Sequence, residues 1–140
     1  MTRINVVPVE CLINKHLFTE YKEITKTIRG AQKRLDQGCD FSDIPPSFQH
    51  GEGHEKFFFD KVLWLWLRHG HLYIECCRRG FDMDFQMYYA NSSDFLMKLK
   101  DTHLWNMWSP TPEDMYLNMA RLVERSGYLL TEEGKANEII

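Results

Sequence analysis

The chain has 140 residues, 44% of them hydrophobic and 26% charged, a balance ordinary for a soluble globular domain with one sizeable core. A net charge of −3 argues against a large non-specific grip on nucleic acid, although the distribution of charge counts for more than its sum. No apolar run is long enough for a membrane span and no leader-like stretch opens the chain, so a cytoplasmic protein without membrane association is expected.

The spacing predicts a first helix over residues 14–37. Leu17, Tyr21, Ile24, Ile28, Ala31 and Leu35 alternate at intervals of four and three and form one apolar stripe. Asn14 reads as its N-cap and Gly38 as its C′ residue, while Gly30 weakens it locally. Two residues before each stripe position stand Lys15, Thr19, Lys22, Lys26, Arg29 and Lys33. A two-residue shift turns roughly 200° around a helix, so these form a cationic ridge opposite the core. His16, Glu20, Glu23 and Thr27 fall on the flank between ridge and core. One reading is a solvated, charged face, in which each i,i+4 pair adds a few tenths of a kcal/mol. The other is a phosphate-contacting ridge beside a shielded acid–base group. Sorting of charge by face favours the second, because a merely solubilising helix mixes its signs.

A loop containing Pro45-Pro46 and Gly51-Glu52-Gly53 leads to a second helix, predicted over 60–79. Val62, Leu63, Trp64, Leu65, Trp66, Leu67, Leu72, Ile74 and Cys76 surround it on nearly all sides, which predicts the central, most buried element. Arg78 and Arg79 suit the negative end of its dipole and Gly80 stops it. Residues 82–110 show little periodicity, and a short helix over 94–100 is the most that the pattern supports. The third long helix begins with Thr111 as N-cap, Pro112 at the first helical position and Glu113 and Asp114 in the first turn. It runs to Ser126 and ends at Gly127. No alternating strand pattern is present. The expectation is an all-α protein, one compact monomeric domain over 1–140, with three principal helices, long connecting loops and a frayed acidic tail at 128–140.

Several residue sets bear on chemistry. Cys11, Cys39, Cys76 and Cys77 match neither zinc spacing nor a redox C-x-x-C motif, so buried free thiols are expected. His50/His54 and His69/His71 lack convincing third and fourth ligands, and no metal site is predicted. Tyr88-Tyr89 and the segment from Trp105 to Trp108 read either as a satellite hydrophobic cluster or as a base-stacking surface. At the start of the chain, Thr2 is the kind of small residue that permits removal of Met1. The exposed α-amine would titrate near about 7.7–8.0, leaving a useful neutral fraction at physiological pH. Such an amine attacks an electrophilic carbon to form an imine, although nearly every protein carries an N-terminus that does nothing of the kind.

The opening Met1-Thr2-Arg3-Ile4-Asn5, followed by His16-Leu17 and Glu20-Tyr21-x-Glu23, resembles the phage pyrimidine-dimer DNA glycosylase/AP lyases, the dimer-specific endonuclease V family. The resemblance continues through Gly51-x-Gly53-His54-x-x-Phe57-Phe58-x-Asp60-Lys61 and Glu75-Cys76-x-x-Arg79-Gly80-Phe81, and returns at Ala120-Arg121-Leu122. It implies three helices with the N-terminal segment threaded among them. It also implies a cofactor-free mechanism in which the amine of Thr2 attacks C1′ of the damaged nucleotide and forms a Schiff base. Glu23 would be the catalytic carboxylate through ring opening and β-elimination. Arg3, Lys22 and Lys26 would hold phosphates, His16 would position the site, and Arg121 and Arg125 would contact the DNA backbone. The implied partner is double-stranded DNA carrying damaged pyrimidines or abasic sites, kinked and locally unstacked. A phage-encoded member would act in the cytoplasm of its bacterial host. Lysines 22 and 26 replace the arginines of the family pattern, keeping charge but losing the planar bidentate contact. Other readings of the same residues are this chemistry on another modified base, a helical DNA- or protein-binding relative without catalysis, and a metal-dependent nuclease.

Overall fold

The longest element forms where the apolar stripe predicts it. Helix α1 covers Asn14–Asp36 and buries Leu17, Ile24, Ile28 and Ala31 completely. Its start differs from expectation: the N-cap is Ile13, which makes no side-chain cap, and Asn14 instead accepts a hydrogen bond from Arg79 Nη1 at 3.0 Å. Its end is as predicted. Gly38 takes φ 71°, a left-handed conformation in which its N–H bonds to Leu35 O and that of Cys39 to Arg34 O.

The computed structural model describes residues 4–126, and among these it contains five α-helices and no strand. After α1 come a short α2 (His54–Phe57), then α3 (Val62–Arg78), α4 (Phe85–Leu99) and α5 (Pro112–Ser126). The Gly127 stop and the acidic tail at 128–140 lie outside the described residues.

Helix α3 is central as predicted, packed against both α1 and α4. It is not uniformly apolar inside. Arg68, His69 and Glu75 are buried with Val62, Leu65, Leu72 and Cys76, whereas Ile74 is 63% exposed. Its first turn has no side-chain cap. The N–H groups of Val62 and Trp64 are met instead by the carbonyls of Leu104 and Asn106, from the segment after α4.

That region brings the main departure from expectation. Only a short helix over 94–100 was predicted, but α4 has 15 residues. Asp84 caps it by accepting from the N–H of Met87 at 3.0 Å. Its apolar residues form no single stripe, since Phe95 and Leu99 are buried while Phe85, Met87, Tyr89 and Met97 are exposed. Periodicity therefore does not report it, and packing on α3 and α1 holds it in place. There are accordingly four long helices among the described residues, not three.

Helix α5 begins as read from sequence. Thr111 Oγ1 accepts from the N–H of Asp114, and Asp114 Oδ2 accepts from that of Thr111, a reciprocal cap. The four cysteines are free, but only Cys76 is fully buried; Cys39 and Cys77 are exposed, contrary to the expectation of buried thiols. Trp108 joins Phe48, Phe57, Phe58 and Trp64 in one ring cluster, so this part of the aromatic segment belongs to the core.

Candidate active site

The site begins with a residue that the sequence placed on a flank. Glu20 lies one turn along α1 from Leu17, and its side chain is entirely buried. A carboxylate there must be compensated. Arg68 of α3 does so in bidentate fashion, with Nε 2.8 Å from Glu20 Oε2 and Nη2 3.0 Å from Oε1. The remaining guanidinium nitrogen, Nη1, donates to Val7 O at 2.6 Å.

This ion pair clamps the N-terminal segment. Asn5 Nδ2 donates to Glu20 Oε1 at 3.0 Å, and Asn5 Oδ1 accepts from Asn118 Nδ2 of α5 at 2.9 Å. Asn118 Oδ1 in turn accepts from the N–H groups of Val6 and Val7. One residue earlier, the N–H of Ile4 donates to His54 Nε2 at 3.0 Å. That nitrogen is an acceptor, so His54 carries its proton on Nδ1 and donates it to Gln49 O at 2.9 Å. The neighbouring Glu55 accepts from Thr27 Oγ1 of α1 at 3.0 Å. Residues 4–7 are thus threaded among α1, α3 and α5, held through the N–H groups of Ile4, Val6 and Val7, the Val7 carbonyl and the Asn5 side chain, the arrangement that the resemblance implied.

Glu20, which holds Asn5, lies three residues before Glu23 on α1, one turn away on the same flank. The Glu23 side chain is 19% exposed and its carboxylate lies 3.2 Å from Lys26 Nζ. Glu23 is partly shielded and cation-flanked, one turn from the carboxylate that holds Asn5.

One turn earlier opens a cavity of about 160 Å³, lined by Asn5, Lys15, His16, Thr19, Glu20, Arg121, Leu122 and Arg125. Burial, then the charges of Lys15 and Arg125, hold the His16 pKa below its ordinary value. His16 Nδ1 and Arg121 Nε are both buried without a hydrogen-bond partner. Arg121, Arg125 and Lys15 give the cavity a positive lining that favours an anion such as a phosphate.

The structure therefore gathers His16, Arg121 and Arg125 into one cavity and sets Glu23 beside Lys26. Lys22 is elsewhere, with Nζ 4.9 Å above the ring of Phe18. Thr2 and Arg3 lie outside the described residues. Among those described, no three His, Cys, Asp or Glu side chains converge as metal ligands. The sequence reading missed Arg68, Asn5 and Asn118 as organisers of the site. The available signal was Arg68 itself, a charge inside a helix otherwise apolar nearly all round, which demands a buried partner.

Residues 1–89 match the family model described as pyrimidine dimer DNA glycosylase. The match covers well over half of the chain and contains the threaded segment, α1, α2, α3 and the start of α4.

Proposed function

The chain belongs to the pyrimidine dimer DNA glycosylase family, a family of DNA repair enzymes, and from that premise we propose that it excises dimers by imine chemistry at its own N-terminus. With Met1 removed, the amine of Thr2 attacks C1′ of the damaged nucleotide. The C1′–N bond breaks and the base leaves with the bonding electron pair. Ring opening gives an imine between Thr2 and the sugar. Loss of a C2′ proton then drives β-elimination of the 3′ phosphate, which cleaves the strand.

The single observation carrying this reading is the locking of Ile4 against His54 and of Asn5 against Glu20, which lies one turn of α1 before Glu23. The anchoring converts attack from an encounter into a positioned event. The Glu23 carboxylate opposes positive charge developing on the sugar and moves protons during imine formation and elimination. Arg121 and Arg125, with Lys15 and His16, supply phosphate contacts one turn away. Lys26 adds a cation beside Glu23. The substrate is double-stranded DNA carrying a dimer or an abasic site.

Borohydride reduction in the presence of duplexes bearing one thymine dimer or one abasic site tests the proposal. A trapped adduct mapping to Thr2 on both duplexes, and lost when the N-terminus is acetylated, is the expected result. Glu23→Gln should slow trapping on the order of 10²- to 10⁴-fold without unfolding the protein. No adduct on either duplex from protein with a free Thr2 amine overturns the imine mechanism.

A further inference from the structure

On the side of α1 away from the cavity, aromatic rings reach the surface in one connected row. Tyr73 of α3 stacks on Tyr88 of α4 at 4.2 Å between ring centroids and touches Phe85 at 6.2 Å and Tyr21 at 6.3 Å. Phe85 continues to Tyr89 at 6.0 Å, and Tyr21 to Phe18 at 6.4 Å. The half-buried Tyr21, Tyr73 and Tyr88 make the floor. Phe18, Phe85 and Tyr89 stand 40%, 58% and 62% exposed along the top. Three large rings left together in water call for a partner.

The charges beside them indicate which kind. Lys22 lies over Phe18 at one end of the row, and Arg29 of the same cationic ridge bonds Asn91 of α4 at 2.8 Å, so the ridge runs beside the seam where α1 meets α4. Of the carboxylates near the row, Asp84 caps α4 and Asp94 pairs with Lys98 at 3.2 Å, while Asp82 shares a hollow with Lys15 beside Phe18. A protein-binding patch keeps charges out of its centre, whereas a row of rings edged by ammonium groups matches a nucleic-acid strand with stackable bases and anionic phosphates. Lys26, one turn along α1 from Lys22, lies at Glu23 in the candidate active site.

We propose that this row binds unpaired, single-stranded DNA, with Phe18, Phe85 and Tyr89 stacking on bases and Lys22 and Lys26 following the phosphates. It goes beyond excision: the surface holds bases freed where the duplex opens next to the lesion. It also needs no chemistry at Thr2, so it is testable on undamaged DNA and stands or falls separately.

The experiment is fluorescence anisotropy with a labelled oligothymidylate of about 15 nucleotides and an equally long strand of base-free spacers. The two carry the same charge, so their difference isolates stacking. The protein should bind the base-bearing strand on the order of tenfold tighter. A Phe85→Ala/Tyr89→Ala double variant should lose that preference while melting cooperatively, and a Phe85→Tyr/Tyr89→Phe variant should retain it. Equal binding of both strands by the unaltered protein would overturn the proposal, as would an undiminished preference in the folded double alanine variant. Concentration-dependent self-association abolished by the double variant, without any strand preference, would assign the row to a second copy of the chain and likewise overturn it.

Discussion

Two consecutive residues of α3 are buried in opposite ways. Arg68 directs all three guanidinium nitrogens into hydrogen bonds with Glu20 and Val7 O. His69 is fully buried among Tyr21, Tyr88 and Phe95, and neither of its ring nitrogens has a partner. A guanidinium cannot shed its charge, so burying it requires a complete set of acceptors. An imidazole can enter the core neutral. Burial, followed by the charge of Arg29, pushes the His69 pKa down to about 4. The first solution fixes a geometry, and it is the one that holds the N-terminal segment. The second makes stability depend on pH.

The comparison is broken most severely at Arg68. Arg68→Met leaves Glu20 buried without its counter-charge and should cost about 3–5 kcal/mol in urea unfolding. Because the same guanidinium holds Val7, borohydride trapping should fall as well, even where enough folded protein survives. Unchanged stability would mean that the pair is replaceable and that the N-terminal clamp rests on Asn118.

Acid probes the other half. The folded-state pKa of His69 lies below its unfolded value of about 6.5, so the unfolded chain binds the proton more readily. Its contribution is fully present above pH 6.5 and is lost as pH falls through about 4, a change on the order of 3 kcal/mol. His69→Phe, which suits the aromatic surroundings, should abolish this component and leave stability at pH 7 unchanged or slightly raised. Parallel stability-against-pH curves for the two proteins between pH 7 and 4 would show that His69 does not titrate as argued.

Asn118→Leu separates clamp from ion pair. It strips the partner from the Val6 and Val7 N–H groups and from Asn5 Oδ1 while leaving Arg68 and Glu20 intact. A loss of about 2 kcal/mol is expected, with a larger relative loss in trapping than in DNA affinity. Equal losses in both would place Asn118 in general stability alone. The smallest effect belongs to Lys26, an exposed partner of Glu23. Lys26→Met should alter stability by less than about 0.5 kcal/mol, yet lower the salt dependence of DNA binding by close to one counter-ion.

Residues with local consequences were legible. Helix α1 follows from its stripe, and α5 from Thr111, Pro112 and Asp114, because periodicity and capping act within a few residues. Helix α4 was not, since Asn91-Ser92-Ser93 interrupts it and its apolar side chains divide between core and surface. In the site, His16, Glu23, Arg121 and Arg125 were named from their resemblance to a family, and of these the cavity gathers His16, Arg121 and Arg125. Glu20 looked like one more flank carboxylate, although its partner lies 48 residues away.

The sequence alone determined the helical class, the glycine stop of α1 and the capped start of α5, a cationic face on α1 and the family. Each of these follows from neighbours in the chain or from a recognisable residue pattern. Only the tertiary structure decided that Arg68 answers Glu20, that Asn118 closes the clamp on residues 5–7, that His69 stays unpartnered, and that rings from α1, α3 and α4 form one row. Those outcomes depend on which groups distant in sequence become close after burial. Local propensity carries no term for the partner that a buried charge will find.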